Sequence, residues 1–446
     1  MNGSEMTLVK EIESSSDGLN ISLFSATKIK SMLLFLMLLI IIVALVLYKV
    51  VFIANMPLKF SFWPFYSFIT TIFLVSRLPY AYLYKDDHEK KYLDSEYPNV
   101  SVVIAAKNEE AGIFKTIVTC IESDYPGKIE CIVVDDGSTD GTKNEVIKAQ
   151  SFYGRKIKLI SFAKNQGKRE AMTVGINEAL HEIIIFVDSD SFIAPDAIRH
   201  ITEHFLVDEK IGAVSGNTKV ENINKNLLTK MQSILYAVSF DVYKASESVH
   251  RSVTCCPGCF SAYRKNIIQP LLKQWKSRTF LGSKSTFGDD RALTNMVLQN
   301  WDVVYCEKAK ATTMVPEKFK VYWRQQLRWK KSWIREGLFA ALFIWKKKHP
   351  LAGFAFYTSL SFCVVGPILA SKVIINSIML RNPLLLIIFL SGFILLGLVF
   401  ALFVSVYRDA KNFMYMPVVS FLFVSCFMWQ MLYALATLKK NHWGTR

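Results

Sequence analysis

The stretch Ile183-Ile184-Ile185-Phe186-Val187-Asp188-Ser189-Asp190-Ser191 decides the fold. Its first half is continuously apolar and bulky, the pattern of a strand buried on both faces of a parallel sheet. Its second half releases two carboxylates where that strand leaves the sheet. In open α/β sheets, ligands bind at the carboxyl ends of strands. Packing explains two acids one residue apart at such a place poorly, because unpaired buried charge is expensive, whereas they suit a divalent cation with oxygen ligands. A divalent cation in turn suits a diphosphate.

Strands with helical connectors recur around this stretch, at 100–105, 129–134, 157–162, 183–187 and 212–215. They define one doubly wound α/β domain over residues 98–315. Membrane-grade sequence flanks it, and 52% of the 446 residues are hydrophobic. The windows 32–54 and 60–84 are each long enough for a bilayer of ~30 Å, so residues 32–84 read as two transmembrane helices after a tail of residues 1–31. The first window exceeds a signal peptide's core, so cleavage is not expected. A charged linker, 85–97, leads into the domain.

Beyond it, residues 316–350 are basic and carry Trp323, Trp329, Trp333 and Trp345, a mixture that suits helices lying at the membrane interface. Residues 351–438 hold three more apolar windows, 351–380, 384–407 and 413–438, before the tail 439–446. Three plain crossings would place the basic tail on the side opposite the domain, against the positive-inside tendency. One window is therefore expected to be re-entrant, and the expectation falls on 351–380, which is interrupted at Gly366-Pro367 and carries Lys372.

A net charge of +16 raises the question of nucleic acid. With so much membrane-grade sequence it fits better a domain that faces anionic lipid and draws in an anionic substrate. The eight cysteines are scattered and imply no disulfide framework, as in a reduced compartment. The sequons at Asn2, Asn20 and Asn99 would then go unused.

The second strand ends in Val134-Asp135-Asp136-Gly137-Ser138-Thr139, with neither G-x-G-x-x-G nor a Walker lysine, so dinucleotide and P-loop enzymes are unsupported. An aspartate here can hydrogen-bond a ribose or a uracil; a capped turn accounts for Ser138 and Thr139 but not for adjacent acids. After the third strand, Gly167-Lys168-Arg169 allows close backbone approach to a phosphate with Lys168 as point charge, or else begins a solvated helix. Gly288-Asp289-Asp290-Arg291 puts two carboxylates at a helix entrance, where the dipole favours the ionised form. An ionised carboxylate held against a hydroxyl is a general base, and Asp289 reads equally as a helix cap.

Two patterns are decoys. Cys256-Pro257-Gly258-Cys259 has redox spacing without a thioredoxin-like context, and a zinc site would need two further ligands. His200-Ile201-Thr202-Glu203-His204 has the inverted zincin spacing, but an amphipathic helix face explains it.

Taken together, Asp135-Asp136-Gly137, Asp188-Ser189-Asp190, Gly288-Asp289-Asp290-Arg291 and Gln325-Gln326-Leu327-Arg328-Trp329 resemble the D, DxD, (T/G)(E/D)D, QxxRW signature of membrane-embedded processive inverting glycosyltransferases. FGDDRALTN at 287–295 and RQQLRWKKSWIR at 324–335 are similar to the hyaluronan synthases and the chitooligosaccharide synthases of nodulation. The terminal Trp443-Gly444-Thr445-Arg446 is similar to a motif near the end of hyaluronan synthases, with a relative in chitin synthases.

The resemblance implies a GT-A-like cytosolic domain inserted between N- and C-terminal transmembrane helices of a plasma-membrane protein. Asp135 or Asp136 would bind the UDP nucleoside, with Lys168 and Asp188 on the diphosphate. Asp190, with Asp188, would hold Mg²⁺ or Mn²⁺, and Asp290, with Asp289 beside it, would be the base. Gln325, Arg328 and Trp329 would cover the diphosphate, and Cys259, Phe260 and Trp329 would line the acceptor site. The implied partners are UDP-sugar donors, a nascent polysaccharide and membrane lipid, with no nucleic acid and one copy of the chain sufficing. Hyaluronan, from UDP-GlcNAc and UDP-GlcUA, is the expected product. The alternatives are chitin, a chitooligosaccharide or poly-N-acetylglucosamine, or a non-catalytic polysaccharide-binding subunit.

Overall fold

The computed structural model describes residues 62–86, 92–284, 287–407 and 412–440, together with isolated positions between 36 and 50. The N-terminal tail 1–31, most of the first apolar window and Trp443-Gly444-Thr445-Arg446 lie outside the described residues.

Helix α1 (Phe62–Leu83) delivers the chain to the domain. There β1 (Val100–Ala106), α2 (Ile113–Ile121), β2 (Ile129–Asp135), α3 (Thr142–Tyr153), β3 (Ile157–Ser161), α4 (Lys168–Glu178) and β4 (Ile183–Phe186) alternate as expected. The chain continues through β5 (Ser191–Ile193), α5 (Ala197–Val207), β6 (Ile211–Val220), α6 (Leu227–Ala237) and β7 (Ser261–Arg264). A two-stranded ribbon, β8 (Thr279–Phe280) and β9 (Ser283–Lys284), precedes α7 (Asp289–Leu298) and β10 (Asp302–Thr313).

The main sheet has the order β3-β2-β1-β4-β7-β6-β10-β5. It is mixed, because β7 runs antiparallel to both β4 and β6, and β5 antiparallel to β10. Sequence periodicity misses β5 and β7 because they are three and four residues long, and β10 because charged Glu307, Lys308 and Lys310 interrupt its apolar run. Alternation along the central strands divides the core. Val102, Ile104, Ile183 and Ile185 face α2 and α5, whereas Val103, Ile184 and Phe186 face α4 and α7. Each such side chain contributes about 1.5–3 kcal/mol by leaving water.

After the domain, α8 (Phe319–Ala341) lies against α7. Asn295 Nδ2 donates to Glu336 O at 3.1 Å, and Arg278 pairs with Glu336 at 2.7 Å. Among the described residues three helical segments are long and apolar enough to cross a membrane: α9 (Pro350–Met379), Leu386–Tyr407 within α10 (Leu384–Tyr407), and Phe413–Ala436. The apolar run Phe68–Leu83 of α1 is shorter.

The expected interruption of the 351–380 window is absent: α9 runs unbroken through Gly366 and Pro367, both buried. In apolar surroundings, groups freed by breaking the helix would find no water, so the proline is accommodated within it. The irregular segment is the last one, which passes through a π-helical turn at Phe423–Phe427. Both of its ends rest on the catalytic side. Asn412 Nδ2 donates to Ser233 Oγ of α6 at 3.3 Å, Lys331 Nζ of α8 donates to Lys440 O at 3.3 Å, and Arg335 donates to Leu438 O. Midway, Gln430 Nε2 donates to Trp323 O at 2.8 Å.

Close packing of α4 on β1 depends on Gly175, where a Cβ would overlap Val103 Cγ1. Because the valine rotamer is stiff, Gly175→Ala is expected to cost about 1–3 kcal/mol, more than the gain in helix propensity. A lowered thermal midpoint of the detergent-solubilised protein checks this; an unchanged or raised midpoint contradicts it.

Candidate active site

The carboxyl ends of β1, β2 and β4 open on one face, and the acids expected there converge. Asp135 closes β2 and accepts from Ser138 N at 3.0 Å. Asp136 is engaged by the turn before α4: its carboxylate accepts from Gln166 N at 2.6 Å and from Gly167 N at 2.9 Å. That turn needs Gly167, whose φ is +98°. Asp136 therefore supports the loop, and both it and Asp135 are buried with a backbone amide on the carboxylate.

Lys168, the first residue of α4, forms an ion pair with Asp188 Oδ1 at 2.5 Å. Burial works against the charged amine, but Asp188, followed by Asp289 and Asp290, outweighs it and raises the lysine pKa. Asp190 is different. Burial and then the neighbouring Asp188 charge push its carboxyl up to about 6, although Lys168 and a 3.4 Å hydrogen bond from Thr313 oppose this. Gly258 closes over the pair: a Cβ there would lie 2.7 Å from Asp188 Oδ1 and 3.1 Å from Lys168 Nζ. Cys259 follows, its thiol pKa raised by burial and then by Asp188 and Asp190, which places it beside the acids as expected.

At the N-terminus of α7 the two aspartates separate in role. Asp289 is buried and forms an ion pair with Arg169, while Trp275 Nε1 donates to Asp289 O at 2.9 Å. It does not cap the helix, since Gly288 holds the cap position, and its carboxylate is taken by Arg169. Asp290 is half-buried, takes Arg291 N on Oδ1 at 2.8 Å and has the Cys255 thiol 3.8 Å from Oδ2. Burial and then Asp290 push that thiol up to about 11, so Cys255 stays protonated beside the carboxylate. Gly288 adopts φ +81°, and a Cβ there would overlap Ser332 of α8.

Through that contact α8 carries Gln325, Arg328 and Trp329 to the same face. Burial lowers the Arg328 pKa, and the charges of Asp290, Asp289 and Asp188 oppose the effect. Trp329 is 42% exposed, as a stacking surface must be. Phe260 corrects the expectation: it is fully buried in the core, packed under Gly216, because an aromatic next to the central sheet gains more from the interior than from a wet site.

Trp275 and the pairing of Arg169 with Asp289 escaped sequence reasoning. A signal existed for Arg169, since a buried acid at a helix entrance demands a cation and the expected phosphate lysine is its neighbour. The inverted zincin pattern dissolves: His200 contacts Asp196 and Glu203, whereas His204 Nε2 pairs with Asp86 Oδ1 at 3.0 Å. The cysteines among the described residues are all free.

Residues 101–272 match the family description Glycosyl transferase family 2. The chain is 30% identical to a hyaluronan synthase of Streptococcus pyogenes over 386 residues, which is 85% of this chain and 90% of that protein. It is 34% identical to an N-acetylglucosaminyltransferase of Rhizobium meliloti over 247 residues, 54% of this chain and 57% of that one. A mannosyltransferase from Pyrobaculum calidifontis, solved with GDP-Man and Mn²⁺, shares the fold at a TM-score of 0.56 and 17% identity, covering 83% of this chain and 97% of its own. The chain belongs to the family 2 glycosyltransferases, in the group of the hyaluronan synthases and rhizobial N-acetylglucosaminyltransferases.

Removing Arg169 leaves Asp289 charged and buried. Arg169→Ala is expected to cost about 3–5 kcal/mol, and the double variant Arg169→Met with Asp289→Leu to recover much of it. Unfolding midpoints of the two variants decide: equal losses, or no loss in the single variant, would remove the ion pair from the account.

Proposed function

We propose that the chain is a processive inverting hexosyltransferase of the hyaluronan synthase type, polymerising UDP-GlcNAc and UDP-GlcUA and passing the product across the plasma membrane. The observation that carries the reading is the gathering of Asp188, Asp190 and Asp290 around the Lys168–Asp188 ion pair, with Arg328 near enough for the charges of Asp290 and Asp188 to act on it. The similarity in sequence to hyaluronan synthase over most of the chain supports the choice of product.

The acceptor hydroxyl gives its proton to the Asp290 carboxylate. Its oxygen bonds to the donor C1 on the face opposite UDP, the C1–O bond to the diphosphate breaks, and UDP departs with that electron pair. One displacement converts an α-linked donor into a β-linkage. Arg328 forks onto the diphosphate oxygens and Trp329 offers its face to a pyranose. Lys168 adds positive charge while holding Asp188 in place. Asp190 and Asp188 fit a hard dication, being oxygen donors crowded enough to push Asp190 up to about 6. Mg²⁺ or Mn²⁺ bound there supplies neutralisation of the diphosphate.

UDP-sugars are cytosolic, so the domain faces the cytosol, with the spans expected in 32–84 before it. α9 and α10 then cross out and back, and the last segment stays on the catalytic side. One copy of the chain, bathed in lipid and holding its nascent polymer, suffices.

Incubation of purified protein with UDP-GlcNAc alone and with UDP-GlcUA added tests the reading. Polymer that requires both donors is expected; polymer from UDP-GlcNAc alone points to a chitin-type product, and absence of UDP release with any donor to a binding subunit. Asp290→Asn is expected to retain UDP binding and lose about 10²–10⁴ in transfer; activity above roughly a hundredth of wild type sinks the base assignment. A cysteine placed at Lys440 is expected to resist an impermeant thiol reagent on intact cells and to react after permeabilisation. Labelling on intact cells would overturn the two-crossing arrangement.

A further inference from the structure

A cavity of about 60 Å³ lies where the catalytic domain meets the membrane helices, several times the ~10–15 Å³ that one water needs. Arg77 enters it from α1, Glu247, His250 and Thr254 from the domain, Trp333 from α8 and Phe356 from α9. None of these residues has a part in the chemistry above.

Arg77 is 5% exposed. Its Nη1 donates to Ser246 Oγ at 3.4 Å and its Nη2 to Ser76 Oγ at 3.2 Å, but its Nε is buried without a hydrogen-bond partner. His250 Nε2 is in the same condition, while the His250 ring stacks on His349 with centroids 5.1 Å apart. Leaving two buried nitrogens unpaired is costly, above all on a charged group, so the cavity is built for a ligand that carries acceptor oxygens. Glu247 is the acid of the lining. Its charge lies close enough to act on Arg77, while its oxygens accept from Thr254 N at 3.0 Å and from the Thr254 hydroxyl at 3.3 Å, which leaves the Arg77 Nε unpaired.

The cavity adjoins the acceptor side of the reaction. Arg291 Nη1 lies 3.4 Å from Thr254 Oγ1, the next residue, Cys255, contacts Asp290, and Trp333 stands one helical turn beyond Trp329. A polymer whose end sits at Asp290 therefore has its preceding rings here, with Trp333 as a platform. Of the oxygen groups a sugar can present, a carboxylate best matches a guanidinium Nε and an imidazole nitrogen placed together in an apolar enclosure.

We propose that this cavity is a product-side subsite for the carboxylate of a hexuronosyl unit, with Arg77 as the residue that reads it. Selection for an alternating acidic polymer is then made on the growing chain as well as on the incoming donor. The inference rests on the hyaluronan-type reading above.

The test uses full-length protein in detergent and two probes, a GlcNAc–GlcUA tetrasaccharide and its carboxyl-reduced counterpart, as inhibitors of polymerisation. Wild type is expected to be inhibited at least tenfold more strongly by the acidic tetrasaccharide. Arg77→Lys and His250→Gln are each expected to erase most of that preference and to shorten the polymer, while UDP release from UDP-GlcNAc alone stays within about twofold of wild type. Equal inhibition of wild type by the two probes overturns the subsite whether or not the variants fold, and so does an undiminished preference in both variants. Wild-type polymer made from UDP-GlcNAc alone would instead overturn the function on which the inference stands.

Discussion

Four consecutive residues, Gln166 to Arg169, hold acids from two strand ends and one helix N-terminus in place. The amides of Gln166 and Gly167 bind Asp136, Lys168 binds Asp188, and Arg169 binds Asp289. Like charges brought this close would repel by several kcal/mol at low effective dielectric, so the site exists only because amides and cations are interleaved with them. The same pairing assigns the work. Three carboxylates are held by protein partners; in the proposed mechanism Asp290, beside a protonated thiol, is the base, and Asp190 with Asp188 would hold the divalent cation.

The second constraint is mechanical. α8 carries the Gln325-to-Trp329 face, packs Ser332 into the space left by Gly288, and buries Glu336 against Arg278. It also holds the carbonyls of Leu438 and Lys440 through Arg335 and Lys331. The glycine at 288 serves two ends at once, since its left-handed backbone starts the helix bearing Asp290 and its missing side chain admits α8. A shift of the membrane segments would therefore be felt at the diphosphate and at the base.

Much of this was legible in the sequence. Continuous apolar runs that end in acids locate β2 and β4 and the face on which they open, because a buried strand and a polar exit leave an unambiguous pattern. Which partner each acid takes was not legible: Asp136 and Asp289 look like Asp135 and Asp290 until the turn before α4 and Arg169, far away in the chain, are folded against them. Phe260 was misplaced because a strand of four residues gives no period from which to tell the core side from the site side. The expected interruption of α9 failed for a related reason. A proline inside an apolar helix reads as a break, although the surroundings decide whether it becomes one.

The central claim is that one carboxylate, Asp290, drives one displacement at C1. The most direct measurement is the anomeric configuration of the first bond formed from an α-linked UDP-sugar, read by proton NMR of the product of a single turnover. The account predicts a β-linkage, with inversion; an α-linkage, with retention, would require a second displacement and a second nucleophile, and would contradict it.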